Sequence, residues 1–146
     1  MTKDIFWPAY AYVPGQTPRH PEHLFAAIRD TAVPGLSISQ LAECQAFKVG
    51  LCYLDAGFYW EAHEVLEPVW MVLPVDGVER KFVQGLIQLA NGLLKLEMDR
   101  PKASLRLVKI ARSLVPSTKD GAIMAVDIAK THLMIDSLEA AANDAL

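Results

Sequence analysis

Cysteine is scarce in this chain: only Cys44 and Cys52 occur among 146 residues, and no CxxC pair is present. The two fall on one segment that reads as a helix, eight residues apart, which is about 12 Å at 1.5 Å per residue and beyond the reach of a disulfide. Buried reduced thiols are expected, in place of a redox or zinc centre. An excess of positive charge is also missing. Lys and Arg number 14 against 17 Asp and Glu, a net charge of −3, so no broad positive field gathers phosphates and a nucleic-acid partner is not expected. Long apolar runs are absent too: the longest, Phe82 to Leu96, is broken by Gln84, Gln88, Asn91 and Lys95 and falls short of the about 18 residues that suggest a membrane span. No membrane partner is expected. The opening Met1-Thr2-Lys3-Asp4 leads into mixed Pro and aromatics without an apolar signal core, so the cytoplasm is the expected location. A glycine-rich phosphate loop and an obvious nucleophile are lacking as well, and no cofactor is implied.

What is present is enough apolar material for one domain: 52% hydrophobic and 21% charged residues in a chain of single-domain length. Five of the nine prolines, Pro8, Pro14, Pro18, Pro21 and Pro34, lie in residues 1–36, each removing a donor that a helix interior needs. With Phe6, Trp7, Tyr10 and Tyr12 among them, this region reads as an extended arm packed on the body, with a short helix near Glu22 to Asp30. Residues 37–146 then read as the helical domain. The first helix runs from an N-cap at Ser37 or Ser39 through Asp55 to Gly57. The second is Phe58 to Leu73, stopped by Pro74. Gly77 to Met98 is the third, Pro101 to about Pro116 the fourth, and Asp120 to Ala142 the fifth. Short links favour antiparallel neighbours. The expected fold class is all-α: five main helices as antiparallel hairpins, a tetratricopeptide-like bundle with an N-terminal arm. Gly50, Tyr53, Gly57, Tyr59, Ala62 and Pro74 carry the spacing of one such repeat, loosely echoed around Gly85, Gly92 and Ala103.

On a helical wheel, Ala62, Val65, Leu66 and Val69 form a core stripe. Trp60, His63, Glu67 and Trp70 share a second face, while Glu61 and Glu64 point elsewhere, toward solvent. In the third helix Phe82, Leu86, Leu89, Ala90 and Leu93 face the core, and Arg80, Gln84, Gln88, Asn91 and Lys95 form a polar stripe. Antiparallel packing of the two helices is expected to bring His63 and Glu67 to Arg80, Gln84 and Gln88.

The run Asp55-Ala56-Gly57-Phe58-Tyr59-Trp60-Glu61-Ala62-His63-Glu64-Val65-Leu66-Glu67, then Trp70, Arg80 and Gln84-Gly85-Leu86-Ile87-Gln88-Leu89-Ala90, resembles the domain-of-unknown-function family 309. The resemblance extends over roughly residues 40 to 115. It implies a compact helical fold of bacterial and archaeal proteins with no established activity, and its pattern falls on Ala62, His63, Glu64, Leu66, Glu67, Trp70, Arg80, Gln84, Gly85 and Gln88. Pro68 departs from a regular motif helix by removing a backbone donor just before Trp70.

Several functions fit these residues. One is a hydrogen-bond network that fixes the register of two helices. Another is a small-molecule pocket walled by Tyr59, Trp60 and Trp70 and lined by His63, Glu64, Glu67, Arg80, Gln84 and Gln88. If the chain is an enzyme, His63 and Glu67 are the acid/base candidates, with Arg80 anchoring an anion in a hydrolytic or proton-transfer reaction. A metal-dependent version needs more ligands than His63 and Glu67 supply; His20 and His23 of the arm, or Glu61 and Glu64, are the only candidates to complete it. The remaining class is a binding module that takes a peptide or a second copy of itself, giving a homodimer. Arg19-His20-Pro21 and His23 otherwise read as surface turn chemistry, and Leu138 to Leu146 as a fraying helix end.

Overall fold

Ser37 opens the body with a reciprocal cap. Its hydroxyl accepts the Gln40 N–H at 3.1 Å and its own N–H donates to the Gln40 side-chain oxygen at 2.8 Å. The helix that follows is short, however. In the computed structural model, which describes residues 4–146, the expected first helix is two: α2 (Ile38–Glu43) and α3 (Gln45–Ala56), separated at Cys44, whose ψ of 154° is extended. The break lets the arm cap α3, because the Thr31 hydroxyl accepts the Ala46 N–H at 2.8 Å, one of the donors a helix start leaves free. Gly57 then ends α3 with a φ of 90°, a left-handed position that costs glycine nothing.

The remaining helices are α4 (Tyr59–Val72), α5 (Val78–Glu97), α6 (Pro101–Leu114) and α7 (Ile128–Asp144). The fifth expected helix therefore starts later than Asp120. Met124 and Ala125 both take positive φ (50° and 64°) in a tight turn between β1 (Ala122–Ile123) and β2 (Val126–Asp127), which pair antiparallel. Asp127 caps α7 by accepting the Ala129 N–H at 2.9 Å. Among the described residues the chain thus forms seven helices and one two-residue hairpin, and the architecture is all-α. No helix among these residues is long and apolar enough to cross a membrane.

Each long helix packs on the next, α3 on α4, α4 on α5, α5 on α6 and α6 on α7. Small residues permit the approach. A Cβ at Gly50 would lie 2.6 Å from Leu66, one at Gly85 2.9 Å from Val115, and one at Gly92 2.9 Å from Leu138. The core gathers Phe47, Tyr53, Leu66, Phe82, Leu86, Leu89 and Ile135. Both expected core stripes are buried, apart from the half-buried Leu93.

The arm contains one helical turn, α1 (Ala26–Arg29), and its first three residues lie outside the described ones. It lies across α3 and α4 through aromatic rings: Trp7 packs on Tyr53 and Phe58 with centroids 5.5 Å away in each case, and Tyr12 meets Trp60 edge-on at 5.2 Å. The Tyr53 hydroxyl donates to the Phe6 carbonyl, and the Gln16 amide donates to the Glu97 carbonyl at 2.6 Å.

Candidate functional site

The α4 face carries the expected neighbours in a loose arrangement. His63 Nε2 lies 3.8 Å from Glu67 Oε2, and its Nδ1 lies 3.3 Å from the Trp60 carbonyl. Both side chains are partly solvated. Arg80 does not join them. Its guanidinium sits over the Trp70 ring, 4.3 Å from the centroid, and Nη1 donates to the carbonyls of Leu73 (3.0 Å) and Met71 (3.4 Å). It thereby closes the C-terminal end of α4, where helix carbonyls lack donors and the dipole favours a cation. Gln84 and Gln88 are half-buried on α5.

The guanidinium beside Glu64 and Glu67 comes instead from the arm. Arg29 lies 3.8 Å from Glu64 Oε2 and 3.9 Å from Glu67 Oε1, and its Nε donates to the Glu64 carbonyl at 3.1 Å. That carbonyl is the one whose intrahelical donor would be the N–H of residue 68, which a proline lacks. Arg29 fills the position that Pro68 vacates, and α4 continues through the proline to Val72.

A buried pair of ionisable side chains lies elsewhere and corrects two expectations. Glu61 does not point to solvent: it is 0% exposed, and its Oε2 accepts from the Tyr12 N–H at 2.7 Å and bonds His20 Nε2 at 2.6 Å. His20 is not surface turn chemistry. It is buried, stacked on Tyr10 at 4.9 Å and bordered by Phe25 and Trp60. The other carboxylate oxygen of Glu61 has no partner among the described residues, and neither has the buried Trp70 Nε1. One signal for Glu61 was available in the sequence: four residues before Val65, it borders the core stripe. His23 is exposed. Among the described residues no three His, Cys, Asp or Glu side chains gather where they could hold a metal ion, so neither His20 nor Glu61 completes a site with His63 and Glu67.

Tyr59 belongs to a different feature. Two cavities adjoin along α7, about 290 Å³ and 390 Å³ in volume, and share Leu54, Asp55, Lys130 and Met134. The smaller reaches Leu86 and Val126; the larger is bounded by Tyr59, Leu93, Leu96, Leu133 and Leu138. Together they form one groove between α7 and the pair α3 and α5. Burial, followed by the negative charge of Glu97, pushes the Tyr59 hydroxyl pKa up. Leu133 stands 65% exposed at the edge, and Lys130 faces Asp55 at 3.7 Å across the shared part. Cys52 and Cys44 are free thiols, half-buried and not fully enclosed; burial raises the Cys52 pKa.

Residues 47–107 match the family model described as domain of unknown function (DUF309). That segment belongs to the DUF309 family. No curated protein and no solved structure matches the chain. The DUF309 segment covers nearly all of α3, the whole of α4 and α5, and the first half of α6. It holds the α4 motif and one wall of the groove. The arm, with His20 and Arg29, and α7, the other wall, lie outside it.

Proposed function

We propose that this chain is a non-catalytic binding module and that the groove between α7 and the α3/α5 pair is its ligand site. The observation that carries this reading is the groove itself: apolar side chains of α3, α5 and α7, with Tyr59 of α4, line adjoining cavities of about 290 and 390 Å³ that none of the described residues fills, with Leu133 65% exposed beside them. Binding sites have this character, mostly apolar and concave with a few polar groups. Catalysis by His63 and Glu67 has less support, because both side chains stand on a partly solvated face, where water screens the charge that a transition state develops. Arg80, the anion anchor of that reading, is engaged with Trp70 and the end of α4. In this proposal Tyr59 is a wall of the ligand site. His63, Glu64, Glu67, Trp70 and Arg80 serve the register of α4 with the arm and with α5.

The uncharged fluorophore N-phenyl-1-naphthylamine tests the groove. Its emission rises saturably on addition of the protein, and Leu133→Lys and Ala141→Lys, both at exposed positions, each weaken binding by about tenfold or more. Absence of saturable binding, or affinity unchanged in both variants, overturns the reading.

A further inference from the structure

Resting on that reading of the groove, we infer that its occupant is a basic amphipathic helix supplied by a partner protein. From the α7 cap Asp127 through Lys130 to Ala141 the lining residues follow α7, a span of about 21 Å at 1.5 Å per residue. That is the length of roughly four helical turns and longer than a compact metabolite requires. The apolar contacts come from successive turns, Leu133, Met134, Leu138 and Ala141 on α7 facing Leu93 and Leu96 on α5, the arrangement into which i, i+3, i+4 and i+7 side chains of a docked helix fit.

Charge selects the sign of the partner. Asp55 and Asp127 line the groove, Glu97 follows Leu96 and is close enough to Tyr59 to affect its ionisation, and Asp144 lies one turn beyond Ala141 on the same side of α7. Lys130 is the one cation among the lining residues, and it already faces Asp55 in an exposed pair of the kind that contributes little and exchanges readily. The carbonyl end of α3, at Asp55 and Ala56, adds partial negative charge. The rim is therefore net acidic. A second copy of this chain, itself at −3, is disfavoured there, whereas lysines and arginines on the flanks of an apolar helix stripe find partners.

The test uses the full chain and a fluorescein-labelled helical peptide of about 14 residues, the length that spans the groove, built only of leucine on one face and lysine on the other, beside its leucine/glutamate counterpart. The leucine/lysine peptide is expected to bind by anisotropy, to displace N-phenyl-1-naphthylamine, and to lose about tenfold or more in affinity with Leu133→Lys and with the double substitution Asp55→Lys, Asp144→Lys. The glutamate peptide is expected not to bind. Equal binding of both peptides, or a leucine/lysine peptide indifferent to Leu133→Lys, overturns the inference, the latter revealing diffuse attraction to an acidic protein. If the fluorophore binds in the groove and neither peptide displaces it, the basic helix is wrong and the groove remains a binding site. If the fluorophore does not bind either, both readings fall together.

Discussion

The carbonyl of Glu64 is the acceptor that Pro68 leaves without an intrahelical donor, and Arg29 reaches it from the arm at 3.1 Å. Arg29→Ala strands that carbonyl and is expected to cost about 1–2 kcal/mol in a urea titration. In a Pro68→Ala background the loss shrinks, because residue 68 regains its N–H; a coupling of about 1 kcal/mol in the double-mutant cycle is the expected result, and strict additivity would refute the substitution of one donor for the other. The His20–Glu61 contact is a larger commitment. Glu61→Ala removes the acceptor of both His20 and the Tyr12 N–H, and breaking a buried pair from one side costs about 3–5 kcal/mol. A loss below about 1 kcal/mol would mean that the arm is not anchored there. The core residues Ala62, Val65, Leu66 and Val69 were legible from helical period, because burial of one stripe is a local property of α4. The pairing of His20 with Glu61 was not, since the two are 41 residues apart in the chain and nothing local couples them.

At the scale of elements, helix order and the ends at Gly57, Pro74 and Pro101 followed from backbone chemistry, and the structure keeps them. The departures occur where distant groups intervene. The chain breaks at Cys44 so that Thr31 can cap Ala46, and left-handed Met124 and Ala125 turn a hairpin where helical propensity alone continued the helix. Glycine shows the same tension at Gly50. Alanine there gains about 1 kcal/mol of helix propensity, yet its Cβ would stand 2.6 Å from Leu66, and overpacking of a core typically costs about 1–3 kcal/mol. Gly50→Ala is therefore expected to lower the thermal midpoint. A raised midpoint would show that Leu66 moves aside freely and that the α3/α4 approach has slack.

Over the whole molecule, the arm and the body are held by buried groups whose protonation matters. Burial, then the negative charge of Glu61, pushes the Tyr53 pKa up to about 12 from 10.0. The unfolded chain gives up this proton first, so the stabilisation is fully present below about pH 10 and is lost as pH rises through 12. Urea midpoints are expected to fall across that window, and Tyr53→Phe, which also loses the bond to the Phe6 carbonyl, is expected to start lower and fall less steeply; parallel curves for the two proteins would remove Tyr53 as the cause. The all-α class, the helix order and the DUF309 motif were determined by the sequence alone, because periodicity, capping and proline act within a few residues. Tertiary packing decided that Arg29 and not Arg80 meets Glu64 and Glu67, that His20 and Glu61 are sealed beneath the arm, and that α7 leaves a groove against α3 and α5. Each of these is a contact between segments far apart in the chain, set by how the helices and the arm close on one another, which no local pattern encodes.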